Sequence, residues 1–256
     1  MNNSNSYFEQ QVNNCYKQFF TEFKINEPNG YLKKYPNLKF ATFPFIGSKY
    51  GKTKKILFIG LDVGSDEHKN RITSFEIRRL DIENKSLTKH NQHIAGTYIT
   101  ALKFLKKDLK LESYWDNIEK NNKFKSCQAV LKSQNSNYIP SQNLLSYIAL
   151  TNYHKFVTIE RENKSGGQDR KNLNKSVEEN LLITEIKSLE PDQIIFQSKT
   201  FEKNYNLIEL IKKETKIKEI YIGPHPSYHG NKNPKIFTNQ IKKIEKVKEV
   251  LPSFTY

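Results

Sequence analysis

A three-layer α/β fold, with a central, mainly parallel four-stranded sheet between helices, is what this 256-residue sequence predicts. Three observations carry the expectation. Four short, largely apolar runs, at 56–59, 144–150, 193–196 and 217–222, have the length of buried strands. Between them, apolar residues recur at three- and four-residue intervals, the period of helices with one buried face. Alternation of the two kinds implies βαβ units, whose crossover helices cover both faces of a parallel sheet.

Taken in order, residues 1–6 are polar and expected to be disordered. Phe8, Val12, Tyr16, Phe19, Phe20 and Phe23 then fall on one face of a helix over 7–24. Residues 25–54, rich in Pro, Gly, Tyr and Lys, read as an irregular lead-in, which sets 1–54 apart from an α/β domain over 55–256. The first strand ends at Gly60. Ile94, Tyr98, Leu102, Leu105 and Leu109 predict a helix over 93–109. Residues 112–140 are polar and interrupted and read as an insertion, and Leu144–Leu150 is the second strand. The charged stretch 160–175, with Gly166-Gly167, reads as an exposed basic loop. Ser176 and Glu179 have the spacing of a capping box that opens a helix through Ser188. Strand 193–196, helix 201–213 and strand 217–222 follow. Phe237, Ile241, Ile244 and Val247 then predict a last helix.

Composition narrows the function classes. A formal net charge of +15 creates a positive field that attracts polyanions, with nucleic acid the first candidate. No basic amphipathic helix with an aromatic face suggests a membrane surface, and no apolar run has the length of a membrane span. Cys15 and Cys127 are the only cysteines, too few for a four-thiolate metal or iron–sulfur site. No cofactor is expected. The polar start lacks the pattern of a signal peptide, and the two cysteines fit a reducing cytoplasm. The sequence thus reads as a soluble, cytoplasmic protein whose charge suits a nucleic acid, expected to be a monomer although nothing in the residues sets its oligomeric state.

Three segments placed directly after strands hold the chemistry. Ligands of open α/β sheets bind outside the carboxyl ends of the strands. Gly60-Leu61-Asp62-Val63-Gly64 sets a carboxylate between two glycines that permit a sharp turn and a close ligand. An Asp there either orients a water or caps local amides. Its glycine spacing does not fit a dinucleotide fingerprint. Asn152 follows the second strand and carries a donor and an acceptor on one planar group, which suits the edge of a pyrimidine as well as loop backbone. Lys155, three residues on, suits a phosphate or plain surface. Pro224-His225-Pro226 frames an imidazole after the last strand, able to donate to an oxygen that gains charge in a transition state.

Together these residues resemble the uracil-DNA glycosylase superfamily over roughly 55–250. The family's first motif takes forms such as Gly-Gln-Asp-Pro, and Gly60-Leu61-Asp62-Val63-Gly64 looks like a variant with Asp62 at the water-activating position. Phe75 is placed like the family's stacking Phe. Asn152 matches its base-reading Asn, and Asn152-x-x-Lys155 resembles the cluster-bearing branch. His225-Pro226-Ser227 matches the His-Pro-Ser motif. Two departures stand out: the four cluster cysteines are missing, and Val63 and Gly64 replace the motif Pro and the bulky aromatic that excludes 5-substituted pyrimidines.

The resemblance implies that a nucleotide is extruded from the duplex into the pocket. Phe75 is then expected to stack on the base and Asn152 to bond its Watson–Crick edge. Asp62 is expected to position water and stabilise the oxocarbenium-like sugar, and His225 to bond the pyrimidine O2. Ser227 is expected on the DNA, Tyr228 or His229 as a wedge in the duplex, and Lys155, Arg161, Lys164, Arg170 and Lys171 on phosphates. Gly64 opens space at C5, which favours a hydroxymethylated or glucosylated cytosine of phage DNA, hence anti-phage defence. Uracil excision in repair is the alternative substrate reading. A non-catalytic nucleic-acid-binding module is the alternative from another class.

Overall fold

A computed structural model describes residues 4–26, 30–35, 38–40, 43–61, 74–85, 92–120, 124–133, 143–158, 175–217, 219–229 and 232–245. Helix α1 (Ser4–Phe23) is followed by four short strands, β1 (Ile25–Asn26), β2 (Tyr31–Leu32), β3 (Leu38–Phe40) and β4 (Phe45–Ile46). Then come β5 (Ile56–Gly60), α2 (Phe75–Leu80), α3 (Gln92–Leu105), α4 (Glu112–Lys120) and α5 (Cys127–Lys132). Strands β6 (Ile148–Asn152) and β7 (Phe156–Thr158) precede α6 (Lys175–Leu189), β8 (Gln193–Phe196), α7 (Tyr205–Glu214) and β9 (Glu219–Ile222). The described chain closes with α8 (Pro226–His229), α9 (Pro234–Thr238) and β10 (Lys242–Lys243).

The main sheet has six strands in the order β10-β9-β8-β5-β6-β4. The inner strands β9, β8, β5 and β6 are parallel, whereas β10 and β4 add antiparallel edges. The sheet is therefore mixed, wider than the four parallel strands of the sequence expectation, and helices cover both faces. Leu57, Ile59, Ile194, Phe196 and Ile220 pack with α1, α6 and α7. Ile56, Phe58, Ile148, Leu150 and Ile195 pack with α3, α4 and α5. Successive strand residues thus bury opposite sides, and every residue of β5 is buried. A second, antiparallel sheet runs β1-β2-β3-β7.

Several elements differ from the sequence expectation, each for a physical reason. Residues 25–46 are not wholly irregular where described, since β4 pairs with β6 and β1–β3 join the second sheet, while 47–54 are turns. Residues 112–140 are not a polar insertion where described. Trp115, Ile118, Cys127 and Val130 of α4 and α5 sit fully in the core, a pattern diluted by the polar residues around them. The apolar run 144–150 is a 3-10 turn over Leu144–Tyr147 before the strand begins at Ile148, with the Asn143 side chain accepting from the Leu145 amide at 3.1 Å. Unbroken hydrophobicity cannot separate the two states when both are buried.

The strand expected at 217–222 starts at Glu219. Helix α6 is already formed at Lys175, so Ser176 lies inside it, and Glu179 accepts from the Tyr153 hydroxyl and pairs with Lys175. The last helix stops at Thr238. Residues 242–243 then pair with β9, and the Ile244 amide donates to the Ile220 carbonyl at 2.8 Å, because the free edge of β9 offers more backbone bonds than a further helical turn.

Candidate active site at the strand carboxyl ends

The parallel strands β6, β5, β8 and β9 end side by side, and the residues beyond them line one edge of the sheet. Gly60 is the register partner of Asn152. The fit is close: a Cβ on Gly60 would stand 2.5 Å from Asn152 Oδ1. The adjacent strand carries the Asn152 amide across Gly60, so a side chain there would displace that amide. The half-exposed Asn152 begins a tightly held turn. The Tyr153 amide donates to the Gly60 carbonyl at 2.8 Å, and the His154 amide to the Leu61 carbonyl at 3.0 Å. Asn152 and the segment entering Asp62 are therefore one unit. Asp62 and Gly64 themselves lie outside the described residues.

His225 lies beyond β9, three strand spacings from Asn152, or about 14 Å at ~4.8 Å per spacing. Ser227 Oγ sits 2.8 Å from His225 Nδ1. Ser227, expected on the DNA, is thus engaged with the imidazole. When its hydroxyl donates to Nδ1, the other ring nitrogen carries the proton and becomes the donor. Burial lowers the His225 pKa from its ordinary value, so the ring is neutral at neutral pH.

The loop bearing His225 is seated by α3. A Cβ on Gly96 would lie 2.8 Å from Pro226 Cβ and 2.9 Å from both its Cα and its carbonyl oxygen. The helix and the Pro226 backbone approach as closely as glycine permits. That approach brings in a residue no motif marks. The His93 ring on α3 meets the His225 ring edge-on, with centroids 5.4 Å apart. Burial, then His225 and Arg78, push the His93 pKa down to about 4.

A second unmarked residue, Gln197, follows β8 at the centre of this edge. Its amide donates to the Ile59 carbonyl at 2.9 Å, and its side-chain Nε2 donates to Thr97 Oγ1 on α3 at 2.8 Å. Gln197 Oε1 is buried with no hydrogen-bond partner. Gln197 also lines a cavity of about 10 Å³ beneath Gly223, Pro224 and Pro226, beside Thr100.

Phe75 opens α2, whose start is capped by Ser74 Oγ accepting from the Ile77 amide at 3.3 Å. Its ring packs on Phe43, with centroids 4.7 Å apart and planes tilted by 33°. The β4–β6 register pairs Phe45 with Leu150. Phe43 lies just before β4, the edge strand beside β6, and α2 packs on that strand, so Phe75 stands on the β6 side of the sheet. Phe75 and Asn152 thus stand on one flank and His225 on the other.

Lys155 is a correction. The sequence suggested a phosphate contact or open surface, but its side chain is 2% exposed and points into the protein. Lys155 Nζ donates to Thr151 Oγ1 at 2.8 Å and to Glu185, which is fully buried and also accepts from the Tyr16 hydroxyl. Burial lowers the Lys155 pKa, while Glu185 pulls it back up. Arg161, Lys164, Arg170 and Lys171 lie outside the described residues. Tyr228 and His229 belong to α8, which places their backbone next to the His225 loop.

Cys15 and Cys127 sit on different helices, α1 and α5, and burial pushes the Cys127 thiol up to about 12, a packing residue rather than a nucleophile. No helix among the described residues is long and apolar enough to cross a membrane. Comparison with protein families, characterised proteins and solved structures returns no match to this chain.

Proposed function

We propose that this protein is a DNA glycosylase that extrudes a non-standard pyrimidine and hydrolyses its N-glycosidic bond, leaving an abasic site. One observation carries the reading. Asn152, which closes β6, and His225, which follows β9, lie at the same carboxyl edge of the sheet, with β5 and β8 between them, and burial keeps the His225 ring neutral. The segment entering Asp62 runs beside Asn152.

In this mechanism Phe75, backed on one face by Phe43, stacks on the extruded base, a contact worth roughly 1–3 kcal/mol. Asn152 bonds the Watson–Crick edge. As the glycosidic bond lengthens, electrons pass to the base and positive charge grows on the sugar. Asp62 stabilises that charge and orients the attacking water. His225, oriented by Ser227, donates to the pyrimidine O2 and stabilises the departing anion; a donor of this kind is worth roughly 2.7–4 kcal/mol. The net charge of +15 draws the polyanionic substrate in. Gly64, in place of a bulky ring, favours a 5-modified cytosine of phage DNA over uracil, and the biological role is then defence.

The test offers duplexes carrying uracil, 5-hydroxymethylcytosine or its glucoside and measures abasic sites after alkali. Release of a modified cytosine, abolished in Asp62→Asn and His225→Ala, supports the reading. Release of uracil alone moves the substrate to repair of uracil. Salt-sensitive DNA binding without release of any base leaves a binding module and refutes catalysis.

A further inference from the structure

Among the described residues, a group of buried titratable side chains takes no part in the mechanism above, yet it surrounds the turn that bears Asn152. We propose that Tyr16, Glu185 and Lys155 are positioning residues for Asn152, through which helix α1 sets the geometry of the pocket. The inference rests on the reading of Asn152 as the base reader.

The network closes on the residue before Asn152. Thr151 Oγ1 donates to Glu185 Oε2 at 2.8 Å and accepts from Lys155 Nζ at 2.8 Å. Lys155 Nζ and the Tyr16 hydroxyl both donate to the same Glu185 carboxylate. Lys155 stands three residues beyond Asn152, so side chains on both sides of the reader are tied to one buried anion. Glu178 completes the clamp by accepting from the Lys155 amide at 2.6 Å and the Phe156 amide at 3.1 Å. It also lies 3.1 Å from His154 Nδ1. On the other side the turn is fastened to Gly60 and Leu61 by the backbone bonds already described.

Stability does not account for this expense. A buried ion pair is often no better for stability than apolar residues of the same volume. Directional bonds do fix where a side chain stands, and an error of about 1 Å in such a site can cost 10²-fold in rate. Tyr16 gives the N-terminal helix its part. Its hydroxyl reaches across 169 residues of sequence to Glu185, and burial beside that carboxylate holds its pKa well above the ordinary value, so it remains a donor.

The experiment compares the full-length wild type with Tyr16→Phe, which deletes one hydroxyl, and with Thr151→Val as a second break in the network. Val12→Ala, on the same helix and fully buried, is the control for lost packing. Hydrogen exchange is followed at the amides of residues 151–156, alongside single-turnover base release and affinity for unmodified duplex. The network variants are expected to raise exchange in 151–156 at least tenfold relative to β5 and to slow base release at least tenfold. Duplex affinity should stay within twofold. Val12→Ala should change exchange in 151–156 no more than its global loss of stability requires.

Equal exchange in 151–156 for the network variants and Val12→Ala overturns the inference, whether or not the wild type releases a base. Loosened exchange with unchanged base release also overturns it, since Asn152 would then not depend on the clamp. A wild type that releases no base overturns the glycosylase reading itself, and the exchange data alone then show whether the clamp exists.

Discussion

Gly96→Ala tests the seating of the His225 loop without any assumption about substrate. Two effects of opposite sign compete. Alanine is the better helix former by roughly 0.8–1 kcal/mol, so an open site within α3 would gain stability. Here the new methyl group meets Pro226 Cα and carbonyl oxygen at 2.9 Å, well inside contact distance. Pro226 cannot turn its backbone away as a long side chain would, so α3 and the loop must separate. Overpacking of this kind costs roughly 1–3 kcal/mol, which outweighs the helix gain. The expected net is a loss of up to about 2 kcal/mol, or up to a few degrees in melting temperature for a chain of this size. The same displacement moves His225 away from His93, so the His225 ring resonances should shift in NMR spectra. Urea unfolding and a histidine-selective spectrum measure both. A variant stabilised by about 1 kcal/mol with unchanged His225 resonances would refute the close approach and the seating of the loop built on it.

Further outcomes follow from the same edge of the sheet. Gly60→Ala should cost less than about 1.5 kcal/mol of stability, because the clash falls on the tip of the Asn152 side chain, which can rotate. It should nevertheless reduce base release at least tenfold, and intact activity would refute the role of Asn152. Lys155→Met should lose roughly 3–5 kcal/mol in denaturant unfolding, since it leaves the Glu185 carboxylate buried without its cation. A loss below about 1 kcal/mol would contradict the buried pair. The His93 pKa is lowered in the folded state to about 4, so the unfolded chain binds the proton first as pH falls below ~6.5. Stability is thus lost between pH ~6.5 and about 4, by about 2 kcal/mol at pH 4.5 from this ring. His93→Gln should flatten that part of the pH profile of unfolding, and an unchanged slope would argue against the lowered His93 pKa.

What the sequence by itself determined lies in short stretches of chain. The apolar runs at 56–59 and 194–196 are buried on both faces, the composition a central parallel strand favours. The helix bearing Val12, Tyr16, Phe19 and Phe20 was equally legible, because its buried face repeats with the helical period. Likewise the placement of Asn152 at the end of one strand and of His225 beyond another follows from the runs that precede them. Runs buried in both states, such as 144–147, carry no period that decides between strand, turn and helix. Leu111, Trp115 and Ile118 do repeat at four- and three-residue spacing, but so few apolar residues among polar neighbours read as an insertion until the structure buried them.

The tertiary structure alone decided the partners. Lys155 looks like any surface lysine until α6 brings Glu185 against it and α1 adds Tyr16. His93 meets His225 only because Gly96 lets α3 approach Pro226, and Gln197 reaches the centre of the edge only because β8 lies between β5 and β9. Hydrophobic period is a local property, set within a few residues by backbone geometry. A buried charge or an imagined pocket wall depends on residues 30 to 170 positions away, and their contact is fixed by the packing of the whole sheet and its helices.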